Sequence, residues 1–98
     1  MNRVAYNGWK NNVRLANADV ELIVTTDVGP RIIRFGFIGE DNVFTEMPGQ
    51  QGGAGEKQWM IRGGHRFWIA PEEAPKTYEP DNAPVRVEEI PGGVRTLQ

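Results

Sequence analysis

Wherever the hydrophobic residues of this chain are regularly placed they recur in twos, and no window carries the apolar period of a helix. The clearest run is Val20 to Thr26, with Val20, Leu22 and Val24 on one face and Glu21, Ile23 and Thr25 on the other. Such alternating, β-branched material forms strands because branched side chains pack well on a pleated surface. The run Val13 to Ala16 precedes it across Asn17-Ala18-Asp19, which is turn chemistry, so a two-stranded hairpin is expected. Asp27-Val28-Gly29-Pro30 breaks the pattern and Arg31 to Ile38 resumes it. There Ile33, Phe35 and Phe37 would share one face, and Ile32, Arg34, Gly36 and Ile38 the other. Apolar residues on both sides imply a strand covered on both sides, and one cover is expected to lie outside this chain.

The rest of the chain continues in short pieces. Val43 to Glu46 reads as a short strand, and Pro48 to Gly55, rich in glycine and glutamine, as a mobile loop. Trp59 to Ile69 is aromatic and is interrupted by Gly63-Gly64. Pro71 to Pro84 is an irregular excursion, since its four prolines block helix interiors and central strands. Val85 to Glu88 is a strand, Pro91-Gly92-Gly93 a turn, and Val94 to Leu97 the start of another strand. Short strands separated by frequent turns define an all-β, antiparallel fold, a sandwich or a barrel. Ninety-eight residues make at most one domain, with a thin core. The strand pattern is still running at Gln98, so residues 1–98 are expected to be a partial β-sandwich domain truncated at the C-terminus. Exposed sheet edges in such a piece favour self-association.

Composition excludes several function classes. The net charge is −2, without the basic stripe of a nucleic-acid binder. Cysteine is absent, which removes disulfides, thiolate nucleophiles and zinc-thiolate sites and fits a cytoplasmic protein. No apolar run approaches a membrane span, and Met1 to Asn12 has no apolar core of signal-peptide length. No membrane partner and no cofactor are implied.

Four motifs carry potential chemistry. Gly52-Gly53-Ala54-Gly55-Glu56-Lys57 superficially resembles a phosphate-cradling loop, but Glu56 separates glycine from lysine, Gln58 stands where Ser or Thr is needed, and no helix follows. His65 is the single histidine. A lone histidine is more often a structural hydrogen-bonder than a catalyst, yet its setting favours a site. Gly63-Gly64 precedes it, Arg62 and Arg66 flank it, and Trp59, Phe67 and Trp68 lie close in sequence. Imidazole transfers protons near neutral pH, aromatic faces stack on the C–H faces of sugars, and guanidinium groups bond vicinal hydroxyls. The opposing interpretation is a small aromatic core with arginines packed over it. Glu72 and Glu73 are adjacent, so in an extended chain they face opposite ways; solvent exposure is the default for both, and at most one, Glu72, would address a site. Asp81-Asn82-Ala83-Pro84 reads as a turn. One histidine cannot supply a metal triad.

Gly63-Gly64-His65-Arg66-Phe67-Trp68, with Ala70-Pro71-Glu72 and Thr77 to Asn82 beyond, resembles an uncharacterised bacterial family of the galactose mutarotase-like (aldose 1-epimerase-like) superfamily. Val20 to Ile33 is similar to the opening of the same family, and Arg62-Gly63-Gly64 to a segment of its hexose-phosphate mutarotase branch. The resemblance implies the N-terminal portion of an antiparallel β-sandwich about three times as long, a parent acting as a cofactor-free aldose 1-epimerase, and a sugar or sugar phosphate as ligand. It implies His65 as acid or sugar contact, with Arg62, Arg66, Trp68 and Glu72 as further sugar-binding residues. The base of such enzymes is a late glutamate with no counterpart here, so this chain alone is expected to be inactive. A second histidine usual after the tryptophan is replaced by Ile69. The alternative is a structural or interaction module of sandwich type with no ligand site of its own.

Overall fold

In a computed structural model describing residues 1–79 and 81–98, the chain forms two antiparallel sheets. The larger contains β1 (Asn2–Tyr6), β2 (Trp9–Ala16), β3 (Val20–Thr25), β4 (Arg31–Phe37) and β5 (His65–Arg66), in that spatial order. The smaller is a hairpin of β6 (Arg86–Ile90) and β7 (Gly93–Leu97). A 3₁₀ turn at Lys76–Tyr78 interrupts the proline-rich excursion. The all-β antiparallel character expected from the period-two patterning is therefore observed. No helix among the described residues is long and apolar enough to cross a membrane.

The first hairpin turns at Asn7-Gly8, where φ is 48° and 97°. Two successive positive φ values match the right-handed twist of paired strands, and Asn-Gly supplies them at little steric cost. β1 and the first half of β2 escape the periodicity because their polar residues dilute it, although Asn-Gly is itself a hairpin signal. The expected β2–β3 hairpin is present, with Val13 opposite Val24 and Leu15 opposite Leu22. Asn17 tightens its turn by accepting the backbone N–H of Asp19 and Val20, each at 2.9 Å.

A β-bulge changes which residues of β4 share a face. Ile23 pairs with Arg34, but the next residue, Val24, pairs with Ile32, so Ile33 is the extra residue. Strict alternation would put Ile33 beside Phe35 and Phe37. Instead Ile33 is buried with Trp9, Ile23 and Val28 in the core, joined by Val4 and Tyr6. Ile32 moves to the opposite face, beside Leu22 and Val24.

The two faces are covered differently. Over the core, residues 44–64 form a cap: the Trp9 indole N–H donates to the Gly53 carbonyl at 2.8 Å, and the Arg62 guanidinium stands 5.7 Å from the Trp9 ring centroid. Gly63 and Gly64 allow this segment to return to β4. Their φ values are 105° and 72°, and a Cβ would overlap the Thr45 carbonyl oxygen at Gly63 and the Ile32 carbonyl oxygen at Gly64. The strand expected at Val43 to Glu46 is reduced to one bridge between Glu46 and Gly63. Asn42 explains the shortening. Its side chain accepts from the N–H of Phe35 and Phe44 and donates to the Ile33 carbonyl, taking the ladder positions a paired strand would use. On the opposite face, Leu15, Leu22, Val24 and Ile32 look across an open groove at Val94 and Thr96 of β7.

Candidate functional site

The five site residues expected from the sequence occupy different environments, and the cause is local. His65 and Arg66 are consecutive in an extended strand, so their side chains leave opposite faces of the sheet. His65 pairs with Ile32 and enters the groove. Arg66 goes to the other side, where its guanidinium lies 5.3 Å from the Trp59 ring centroid and donates to the Thr77 carbonyl at 2.7 Å.

The groove is a cleft of about 430 Å³ between the two sheets. That volume falls in the range of roughly 300–1,000 Å³ usual for small-molecule sites. Its walls are mostly aliphatic; Phe67 stands at its edge, 76% exposed. Polar groups are few: His65, Thr96 and Gln98, with Arg31 behind them. His65 is exposed to solvent, and its ring lies 6.3 Å from that of Phe44. Of the five expected residues, the groove receives only His65 among the described residues.

Arg62 is fully buried, with none of its surface exposed. Its guanidinium donates to both carboxylate oxygens of Glu56 and to Asn82 Oδ1, at 3.0, 3.0 and 2.8 Å, and to the Gln50 carbonyl at 3.0 Å. Asn82 in turn donates to the carbonyls of Glu56 and Gln58. These bonds close the cap over Trp9 and leave the Arg62 fork directed away from the groove. The Arg62 hydrogen bonds hold the Glu56 carboxyl below its ordinary pKa, outweighing the opposite effect of burial.

Arg31 forms an ion pair buried on both sides, with Asp81 at 3.0 Å. Its other terminal nitrogen donates to the carbonyls of Ile61 and Gly63 at 2.6 and 3.0 Å, which fixes the peptide leading into β5. Burial lowers the Arg31 pKa; Asp81 opposes that shift, and the charges of Arg62 and Arg66 reinforce it. The turn read at Asp81-Asn82 thus supplies polar anchors for two buried arginines. Extended strand patterning hides that role, because Asp81 and Arg31 are 50 residues apart in sequence.

Trp68 is half exposed at 46% and lies outside the groove lining. Glu72 is exposed and accepts the Tyr78 hydroxyl, while Tyr78 packs edge-on against Trp59 with centroids 5.1 Å apart. Trp59, Arg66 and Tyr78 therefore make a separate aromatic stack on the cap side. No group of three or more His, Asp or Glu residues is placed to hold a metal ion among the described residues.

The apolar wall of the groove is the part of the site that the sequence motifs did not point to. Its signal was the Val20, Leu22, Val24 face of β3, which required a partner surface that the motifs did not identify. Comparison of the chain with protein-family models, with curated proteins and with solved structures returns no match.

Proposed function

We propose that this chain is a carbohydrate-binding portion of a mutarotase-like sandwich protein, with His65 as the residue that meets the sugar. The observation that carries this reading is the placement of the only histidine, exposed at an open groove beside the unburied ring of Phe67. An aromatic face and a hydrogen-bonding imidazole are the two elements a pyranose needs for stacking and for hydroxyl contact. The likeness of the Gly63 to Trp68 segment to the mutarotase-like superfamily supports the same ligand class.

In a parent epimerase His65 would protonate the ring oxygen while a base removes the anomeric hydroxyl proton. No carboxylate side chain lines the groove with His65 among the described residues, and the chain alone is expected to bind a sugar without opening its ring. Arg62 serves the fold, since its guanidinium is enclosed by Glu56, Gln50 and Asn82. Calorimetric titration with a panel of monosaccharides and methyl glycosides tests the proposal: saturable binding is expected, weakened about tenfold in His65→Ala. No binding by any sugar, or no effect of the substitution, would contradict it. An NMR assay of anomer exchange should show the uncatalysed rate.

A structural module without a ligand is the second reading. Its specific support is the engagement of Arg31, which lines the groove with His65, in a buried ion pair with Asp81, and of the buried Arg62 in an ion pair with Glu56.

A further inference from the structure

Resting on the sugar reading above, we propose that the reducing sugar received at His65 is a 6-deoxyhexose. Its C5 methyl group lies against Ile32 on the groove floor, and its anomeric hydroxyl faces the groove mouth. What flanks the ring oxygen decides the substituent. In a pyranose that oxygen lies between C1, which carries the anomeric hydroxyl, and C5, which carries C6. An imidazole N–H donating to the ring oxygen therefore has both carbons beside it, one turned inward and the other outward.

The surface beside His65 is aliphatic. Across the sheet His65 pairs with Ile32, and Ile32 with Val24. Neighbouring strands lie about 4.8 Å apart, so a pyranose bonded to His65 covers Ile32 and reaches toward Val24. An anomeric hydroxyl turned to that floor would lose water without gaining a partner. No base could meet it there, because no carboxylate side chain lines the groove among the described residues. C1 therefore faces out and C5 faces in. A hydroxymethyl group at C5 would then bury its hydroxyl against Ile32 and Val24. A methyl group buries only carbon, and a pentose, with hydrogen at C5, leaves the space empty. Thr96 and Gln98, on the β7 side of the groove, are left to meet the ring hydroxyls. Arg31 also borders the groove, and its buried Nε has no hydrogen-bond partner among the described residues. A sugar phosphate that gained that donor would bind more tightly than a neutral sugar, and it is the competing ligand.

The experiment titrates the full chain, by calorimetry and by methyl NMR, with free sugars that differ only in the C5 substituent. One series is D-galactose, 6-deoxy-D-galactose and L-arabinose; the other is D-glucose, 6-deoxy-D-glucose and D-xylose, with glucose 6-phosphate alongside. The 6-deoxyhexose should bind about tenfold more tightly than the hexose, whose hydroxyl is stripped of water. It should bind about threefold to fourfold more tightly than the pentose, and should shift the Ile32 and Val24 methyl signals. Ile32→Thr, a β-branched replacement that suits the strand, offers a hydroxyl beside C6 and should cut the preference over hexose to about threefold or less. His65→Ala should weaken every sugar. Equal affinity of a hexose and its 6-deoxy counterpart would overturn the 6-deoxyhexose proposal while leaving the sugar site standing. Tighter binding of glucose 6-phosphate than of 6-deoxy-D-glucose would do the same, assigning the site to a phosphorylated sugar. Failure of every sugar to bind, or binding indifferent to His65→Ala, would overturn the sugar reading itself.

Discussion

Arg62 joins more of this molecule than any other single side chain described above. Its guanidinium meets Glu56, Asn82 and Gln50, its carbonyl accepts from Met47 at 2.9 Å, and its backbone takes a left-handed φ of 52°. Removing one partner of a buried ion pair costs about 3–5 kcal/mol, because the remaining polar groups stay desolvated. Glu56 keeps 27% of its side chain exposed and can rehydrate, whereas Asn82 is buried, so Arg62→Met should lower the unfolding free energy by less than that, about 2–3 kcal/mol, still a large share of the roughly 5–15 kcal/mol available to a domain. Urea unfolding measures it. Arg62→Lys keeps the charge but not the fork, and should recover less than half. The local sequence displayed Arg62 as one of several aromatic-flanked arginines. Its burial depends on Asn82 and Trp9, 20 and 53 residues away, which local spacing does not encode.

Titration at the residue scale bounds the stable pH range from both sides. Hydrogen bonds from Arg14 and Arg34 hold the Glu21 carboxyl low, and Arg62 does the same for Glu56. For Glu46, burial pushes upward but hydrogen bonds from Tyr6, Asn42 and Asn7 prevail and lower it. Native values below the ordinary 4.5 mean that these contributions are complete above that pH and are lost as acid protonates the groups in the fold. Tyr6 behaves oppositely. Burial, then its hydrogen bond to Glu46, pushes its hydroxyl up to about 12, so its contribution is complete below the ordinary value of 10.0 and fades as pH rises through about 12. Circular-dichroism melting should accordingly show a plateau between about pH 5 and 9, with loss of Tm on both sides. Tyr6→Phe should flatten the alkaline fall.

At the scale of elements, β4 is the informative strand. β5 pairs with only Arg31 and Ile32 of it, and Asn42 supplies the next ladder positions with its side chain. Asn42→Ala would leave the Ile33 carbonyl and the Phe35 N–H without these partners, costing about 2 kcal/mol and exposing a strand edge. A lower urea midpoint with unchanged slope, together with increased light scattering, is the expected result. Gly64→Ala should cost about 3 kcal/mol, from a left-handed φ of 72° and overlap with the Ile32 carbonyl. It should also displace β5, carrying His65 out of the groove. The second half of β2, and β3, β4, β6 and β7, were legible because alternating β-branched residues and glycine turns act locally. The bulge at Ile32-Ile33 was not, since its advantage is burial of Ile33 against Trp9, a contact between distant strands. For that reason the expected face of Ile33 was wrong although the strand itself was right.

At the scale of the whole molecule, the sheet has one closed face and one open face. The cap of residues 44–64 seals the core with the Arg62–Glu56 ion pair and hydrogen bonds, and the β6–β7 hairpin stands off from the opposite face to leave the groove. The Arg62 to Trp68 segment crosses between the two. It sends Arg62 and Arg66 to the cap side and His65 to the groove side, so one contiguous segment serves both the cap and the groove. The central claim is that sugar meets this molecule on the groove side. Proton–carbon NMR of the His65 imidazole and the Leu22 and Val24 methyl groups, followed during titration with free monosaccharides and their methyl glycosides, tests it most directly. Saturable shifts at His65, Leu22 and Val24, with the Trp9 and Trp59 indole signals unmoved, are predicted. Shifts confined to Trp59 and Trp68, or no shift at His65 at saturation, would contradict it.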